Sequence, residues 1–311
     1  MTVRIFPLQK KAQMFTIISL LLIGLMFLSF EIFSQINAKN SINTRISTMN
    51  SFLHSIEENL ERQMFIVGFR IIFLAEDKIT KDRVYISDID GFFQEGFFNG
   101  SVAGTPNDIL TGVTYDDLID SIKNKGDKIN VDITIDNSTI SVSQDDPWNV
   151  KFTLEADFLM KDKGNLAQWQ KRLVVSAFIP ITDFEDPVYS KNSNFRVSRK
   201  IQKTIYDGSF VSGGNYANLS SHFNNGFYAN NTDAPNFLMR LEGDLSSDVN
   251  GVETFVDTLE LSSQGLNIDD TKSVVDHIYF DSSDSTIGSV VSGMPSYFKI
   301  DSGHKSRYQI P

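Results

Sequence analysis

Between Met14 and Phe30 the chain reads MFTIISLLLIGLMFLSF, with no charged residue, and Glu31, Ile32 and Phe33 follow. A helix of this composition is apolar on every face, so it has no polar side to turn toward water. A membrane span needs about 20 mostly apolar residues, and the stretch reaches that length if Glu31 lies at the far interface. This feature limits the chain more than any other, because everything after it is either tethered to a bilayer or has to bury a fully greasy rod.

The flanks predict the orientation. Arg4, Lys10 and Lys11 precede the run and no acidic residue occurs among the first twelve. Positive charge is retained on the cytoplasmic side, so the N-terminus is expected inside and the C-terminal bulk outside. A cleaved secretory signal would have a shorter apolar region closed by a small-residue A-x-A site. Here the run ends in a Phe-rich stretch, Ser29 to Ser34, without that pattern.

Directly before the run stands Lys10-Lys11-Ala12-Gln13. This junction of a basic pair, a small residue and Gln resembles the class III leader (class III signal peptide) of archaeal type IV pilins and archaellins. The resemblance implies an archaeal host. It also implies cleavage between Ala12 and Gln13 by a prepilin-type peptidase, with the apolar helix retained on the mature protein. Loss of the three cations of the leader would take the formal charge from −11 to −14. The family's Glu at the fifth mature position is Ile17 here, and the nearest acid is Glu31, which points to a minor or non-assembling member.

Past the run, the chain from Ile36 to Glu76 contains no Pro, and its only Gly is Gly68. Ile42, Ile46, Met49, Leu53, Ile56 and Leu60 are spaced alternately by four and three, then Gln63 interrupts and Val67 resumes. That is a heptad seam or one buried stripe of a long helix. Ile66, Phe69, Ile71, Ile72, Phe73 and Leu74 thicken the apolar surface at its end, which is expected to pack on a globular head. The polar stretch Asn37 to Asn43 is weakly helical and predicts a break or hinge. A helix from Gln13 to about Glu76 would be roughly 95 Å long, similar to the long N-terminal helix of a type IV pilin.

The head reads as α+β. Thr114 caps a short helix that begins with Tyr115, Asp116 and Asp117. Ile129, Val131, Ile133 and Ile135 alternate with polar residues, and Asn137-Ser138 predicts a hairpin turn before Ile140 and Val142. Val150 to Phe158 is the cleanest alternating strand, Lys171 to Ile181 is another, and short connections favour an antiparallel sheet. Asn194 to Tyr206 could be a helix bearing the one basic patch, Arg196, Arg199, Lys200 and Lys203. Ser209 to Asn236 reads as a polar surface loop or small irregular module, and Val274 to Phe280 as a strand. The segments Asp186-Pro187-Val188-Tyr189 and Phe237 to Gly243 resemble parts of uncharacterised archaeal membrane-anchored surface proteins. The expected organisation is therefore a leader at 1–12, a transmembrane helix at 13–34, its continuation at 35–78, an α/β head with an antiparallel sheet at 79–207, and a loop-rich remainder at 208–311.

Composition and motifs narrow the function classes. A hydrophobic content of 41% supports a real core, and the absence of cysteine excludes disulfides and thiolate metal sites. A net charge of −11 argues against a nucleic-acid partner. Four N-x-[ST] sequons, at Asn99, Asn137, Asn218 and Asn230, fall in predicted loops or turns and are candidate glycosylation sites. His54, His222, His277 and His304 show no metal-ligand spacing, so no metal site is expected. Asp88-Ile89-Asp90-Gly91 starts like a calcium loop but lacks its later ligands, and Asp281 to Asp284 could hold only a weak ion. With no G-x-S-x-G, P-loop or G-x-G-x-x-G, no catalytic residue or cofactor is assigned. The expected function is a pilin-like, single-pass, extracellular structural or surface protein. Its partners would be the lipid bilayer and other pilin-like subunits through the N-terminal helix. A non-polymerising anchored adhesin is the alternative, and a stalked hydrolase, which requires a concave acidic pocket within residues 129–311, is the third reading.

Overall fold

A computed structural model describes residues 9–311, with side-chain surroundings from residue 13 onward. Arg4 lies outside the described residues, as do the side chains of Lys10, Lys11 and Ala12. The chain begins with α1 (Gln9–Asp82), one helix of 74 residues, about 110 Å long at 1.5 Å per residue. The break expected at Asn37–Asn43 does not occur. Asn and Ser cost only tenths of a kcal/mol each in a helix interior, and strongly helical segments on either side propagate through them.

The buried stripe of α1 starts at Met49; Ile42 and Ile46 remain more than one-third exposed. Met49, Leu53, Ile56, Leu60, Met64, Val67, Ile71 and Leu74 are buried. Met64, one position after Gln63, therefore keeps the four-three spacing unbroken. Phe69 and Phe73 stay largely exposed rather than joining the core. Gly68 lets α1 approach the sheet closely: a Cβ there would stand 2.3 Å from Ile179 Cδ1 and 3.1 Å from Phe152 Cδ1.

Helix α2 (Ile89–Gln94) runs into a π-turn at Glu95–Asn99, followed by the small β1 (Ser101–Val102) and β2 (Thr105–Pro106) pair. Helix α3 (Tyr115–Lys128) opens with the expected cap: Asp117 N–H donates to Thr114 Oγ1, and the Asp117 carboxylate accepts from Thr114 N–H at 3.0 Å. Three strands form the main sheet, β3 (Val131–Asp146), β4 (Asn149–Asp162) and β5 (Gln168–Pro180), all antiparallel with β4 central. The hairpin predicted at Asn137–Ser138 is instead a bulge inside β3, where pairing jumps from Asp136↔Asp157 to Thr139↔Glu155 and Asn137 takes φ 49°. The chain turns at Pro147–Trp148, where Asp146 Oδ1 accepts from Trp148 N–H at 2.8 Å. Asn tolerates the left-handed conformation in either setting, so the dipeptide marks a bulge as readily as a turn.

Cross-strand rows build the buried face of the sheet. Ile140, Leu154 and Val175 align, as do Ile135 and Phe158, and Phe152 and Ala177, and all of these side chains are buried. This face takes the stripe of α1, and Phe93 and Phe97 close on Phe152. The opposite face carries ion pairs, with Arg172 reaching Glu155 at 3.2 Å and Asp157 at 3.1 Å.

The remainder alternates short elements with irregular chain: α4 (Pro187–Asn192), α5 (Ala217–Asn225), β6 (Ala229–Asn230), α6 (Phe237–Glu242), β7 (Val252–Glu253), α7 (Thr258–Ser263), α8 (Asp276–Phe280), β8 (Ser289–Val290), β9 (Lys299–Ile300) and α9 (Ser302–Arg307). Residues 209–236 are thus not a plain loop: Phe210, Leu219 and Phe223 enter a second apolar cluster with Phe255, Phe298 and Tyr308. Asn194 to Tyr206 forms no helix; Ile201 is buried while Ile205 is exposed, so the two do not share a face. The strand expected at Val274–Phe280 ends at Val275, which bridges Phe255, and the chain then coils into α8. Asp276 is drawn inward to an ion pair, which an alternating strand could not provide while also burying Val275, its neighbour.

Candidate functional site

Two regions carry chemistry that the fold alone does not consume. The first is the proximal part of α1. Every side chain from Gln13 to Thr44 is exposed. Phe15, Met26 and Phe27 expose 75%, 76% and 71% of their surface. Within this stretch α1 is long and apolar enough to cross a membrane. The hydroxyl of Thr16 donates to the carbonyl of Gln13 at 2.9 Å, which lowers the polarity it presents outward. The head begins where Arg45 leaves the rod: its guanidinium pairs with Asp162 and donates to the carbonyls of Ile129, at 2.5 Å, and Asn130, at 2.8 Å.

The second region is a buried polar centre assembled from five short elements. Asp186 caps α4, Arg240 lies on α6, Glu253 on β7, Asp276 and His277 open α8, and Asp301 caps α9, which carries His304. Arg240 Nη1 lies 2.7 Å from Asp186 Oδ2 and 2.8 Å from Asp276 Oδ2, with all three side chains fully buried. Burial works against the Arg240 charge, but Asp186 and Asp276 outweigh it and hold the guanidinium protonated. This pair also joins the two segments singled out by resemblance, 186–189 and 237–243. Tyr228 donates to Asp186 at 2.7 Å.

Beside this pair, His277 Nε2 and His304 Nε2 each lie 3.3 Å from the same oxygen, Glu253 Oε2. Ligand-capable atoms of the three residues all lie within 4.8 Å of one another. Tyr308 donates to Glu253 Oε1 and Asn231 Nδ2 to Oε2, both at 2.8 Å. His304 Nδ1 lies 2.9 Å from both oxygens of Asp301. Burial alone would raise Glu253, yet the neighbouring His277 and His304 imidazoles prevail and hold its carboxyl far below the usual range. Burial would likewise lower His304, and Asp301 and Glu253 overcome it, pushing the imidazole up to about 10. These residues could hold a divalent cation. Sequence spacing expected no metal site because Glu253, His277 and His304 are far apart along the chain; only the D-x-x-H at Asp301–His304 is a local trace.

The other singled-out residues fall as follows. His54 is exposed on α1 near Glu58. His222 is buried; burial pushes its imidazole down to about 4, and Nδ1 meets Thr204 Oγ1 at 3.0 Å. Asp88 caps α2 instead of starting a cation loop, accepting from Gly91 N–H at 2.9 Å. Asp281 and Asp284 accept from backbone two residues on, as turn residues do. Arg199 of the basic patch pairs with Glu260 at 2.8 Å. Asn99 ends the π-turn and is exposed, and Asn137 is exposed on the β3 bulge. Contrary to the loop expectation, Asn218 is half-buried in α5, its amide donating to Ser209 O at 2.8 Å, and Asn230 lies in β6. An open cavity of about 380 Å³ between α1 and residues 182–200 is lined by Phe69, Phe73, Glu76, Asp183, Glu185 and Lys200. Burial and the nearby Glu185 push Glu76 there up to about 9. Comparison with family models, curated proteins and solved structures gave no match, so this geometry alone carries the functional reading.

Proposed function

We propose that the chain is a pilin-like, single-pass, membrane-anchored surface protein, with its N-terminus cytoplasmic and its head extracellular. The observation that carries the reading is one unbroken helix whose first part is apolar and exposed on all faces and whose second part is the spine of the head core. In water, the side chains from Met14 to Ile36 would leave an apolar surface far larger than a soluble monomer tolerates. In a bilayer, the same surface is solvated by acyl chains and the helix satisfies its own backbone. A rigid rod without a hinge also suits lateral packing of several such helices, as in a filament.

Membrane fractionation of the native protein with an alkaline carbonate wash tests the anchor, and the N-terminal mass of the retained protein tests the pilin pathway. Retention with a start at Gln13 supports leader processing. A start at Met1 replaces it with a plain anchor and a non-polymerising binding module. Release to the supernatant, or a start near Gln35, overturns anchoring. Protease added outside intact cells should remove the head; a head protected until lysis would reverse the orientation.

A further inference from the structure

We infer that Glu253, His277 and His304 form a binding site for a divalent transition-metal ion of the zinc class, held by two imidazoles and one carboxylate, with Asp301 fixing His304 from behind.

The donor set comes from three short elements, β7, α8 and α9, which outside the chain itself are tied by isolated backbone hydrogen bonds such as Asp276 N–H to Thr254 O and Val274 N–H to Lys299 O. Zinc bonds to imidazole nitrogen and carboxylate oxygen at about 2.0–2.2 Å, so neighbouring donors of a tetrahedral site stand about 3.3–3.4 Å apart. Both imidazole Nε2 atoms lie 3.3 Å from Glu253 Oε2.

Hydrogen bonding fixes which way His304 faces. Asp301 can only accept, so Nδ1 carries the proton that it receives at 2.9 Å. Asp301 is itself anchored by Ser273 Oγ at 2.7 Å and by the His304 backbone N–H at 3.0 Å. The ring therefore directs Nε2 toward Glu253. That nitrogen is buried 3.3 Å from Oε2 with no hydrogen-bond partner, and a bound ion would take the place of its proton. His304 as a whole is only 6% exposed. A carboxylate behind the distal nitrogen of a histidine is the support that metal-binding histidines ordinarily have. Glu253 is oriented just as firmly, by Tyr308 on one oxygen and Asn231 on the other.

Charge balance points the same way. Asp186, Glu253 and Asp276 are fully buried and Asp301 nearly so; among the described residues they face Arg240, the one buried Lys or Arg, and the protonated His304, so carboxylates still outnumber cations. A dication at the Glu253 oxygen offsets this excess of buried negative charge, which costs several kcal/mol per unpaired ion. The ion would tie β7 to α8 and α9 in a region of short elements and no cysteine, the role that disulfides fill in other extracellular proteins.

The full chain, purified in detergent and stripped of metal, is titrated with Zn²⁺, Co²⁺ and Mg²⁺. About one equivalent of Zn²⁺ should bind and raise the melting temperature of the head, EDTA should reverse this, and Mg²⁺ should do neither. Bound Co²⁺ should show the intense visible absorption of a tetrahedral site. Asp301→Asn should weaken Zn²⁺ binding about 10- to 100-fold, His277→Gln should abolish it, and His54→Gln should leave it unchanged. Absence of stoichiometric Zn²⁺ binding by the folded wild-type chain overturns the site without recourse to any variant. Retention of full affinity in a folded His277→Gln chain does the same.

Discussion

The two parts of α1 share one backbone and a similar abundance of apolar residues, yet they meet different surroundings. From Gln13 to Thr44 no side chain is covered by the head, whereas from Met49 onward the apolar residues recur every four and three positions and one face is buried. The difference lies in pattern. A stripe matches a sheet surface, and a cylinder that is apolar all round matches only a medium that surrounds it. The hand-over falls at Arg45, whose guanidinium grips the sheet edge through Asp162 and the loop carbonyls of Ile129 and Asn130. One helix therefore couples the orientation of the head to that of the apolar segment, with no break in the helix between them.

The largest effect should come from breaking the cylinder. Leu21→Arg combined with Phe27→Arg places two charges near the middle of the apolar run, at about 2.5–3.5 kcal/mol each in a bilayer centre. The protein should leave the membrane fraction while the melting temperature of the head stays unchanged; continued sedimentation with vesicles would remove the distinction between the two parts. Leu60→Ala should do the reverse, lowering head stability by about 2–5 kcal/mol through a cavity under the sheet, with membrane partitioning unaltered. Gly68→Ala should cost roughly 1 kcal/mol net, because the crowding of Ile179 and Phe152 exceeds the gain in helix propensity. Thermal denaturation of the detergent-solubilised chain measures both, and an unchanged midpoint in Gly68→Ala would mean that helix and sheet are less closely packed.

Smaller effects sharpen the boundary. Arg45→Ala should lower hydrogen-exchange protection around Met49 to Leu53 while leaving Leu60 to Ala75 protected; a uniform loss would place the hand-over elsewhere. Glu76, in the packed part, holds its proton to about 9 in the fold against 4.5 ordinarily. The folded state thus binds the extra proton between these values, so stability falls as pH rises through 4.5 toward 9 and levels off above. Glu76→Gln should flatten that slope, and an unaltered slope in the variant would assign the pH dependence to other groups.

Particular residues show how far the sequence could be read. The all-apolar run, the four-three stripe and the alternation of Val150 to Phe158 are local periodicities and the Thr114 cap a local motif; each is found where neighbouring residues place it, except that the first two positions of the stripe, Ile42 and Ile46, stay exposed. Sequence and structure part where one local signal serves two geometries. Asn137-Ser138 is as good a bulge as a turn, and Asn37 to Asn43 lowers helix propensity without stopping a helix that is stable on both sides. Val274 to Phe280 looked like a strand because β-branched and aromatic residues cluster there, but the buried charge of Asp276 at its centre bends the chain into α8. The histidines were illegible for another reason: His277 and His304 meet Glu253 across three elements, and no period or spacing encodes that meeting.

The sequence by itself determined the rod: where it is apolar all round, that a one-faced stripe follows, and that an antiparallel sheet comes after it. Those properties depend on residues a few positions apart, whose relative directions the helix and strand geometries fix. Only the tertiary structure decided that the rod runs without a hinge, that Arg240 lies between Asp186 and Asp276, and that two histidines converge on one carboxylate oxygen. These depend on residues brought together from distant parts of the chain, and long-range packing sets such distances while local preference leaves them open.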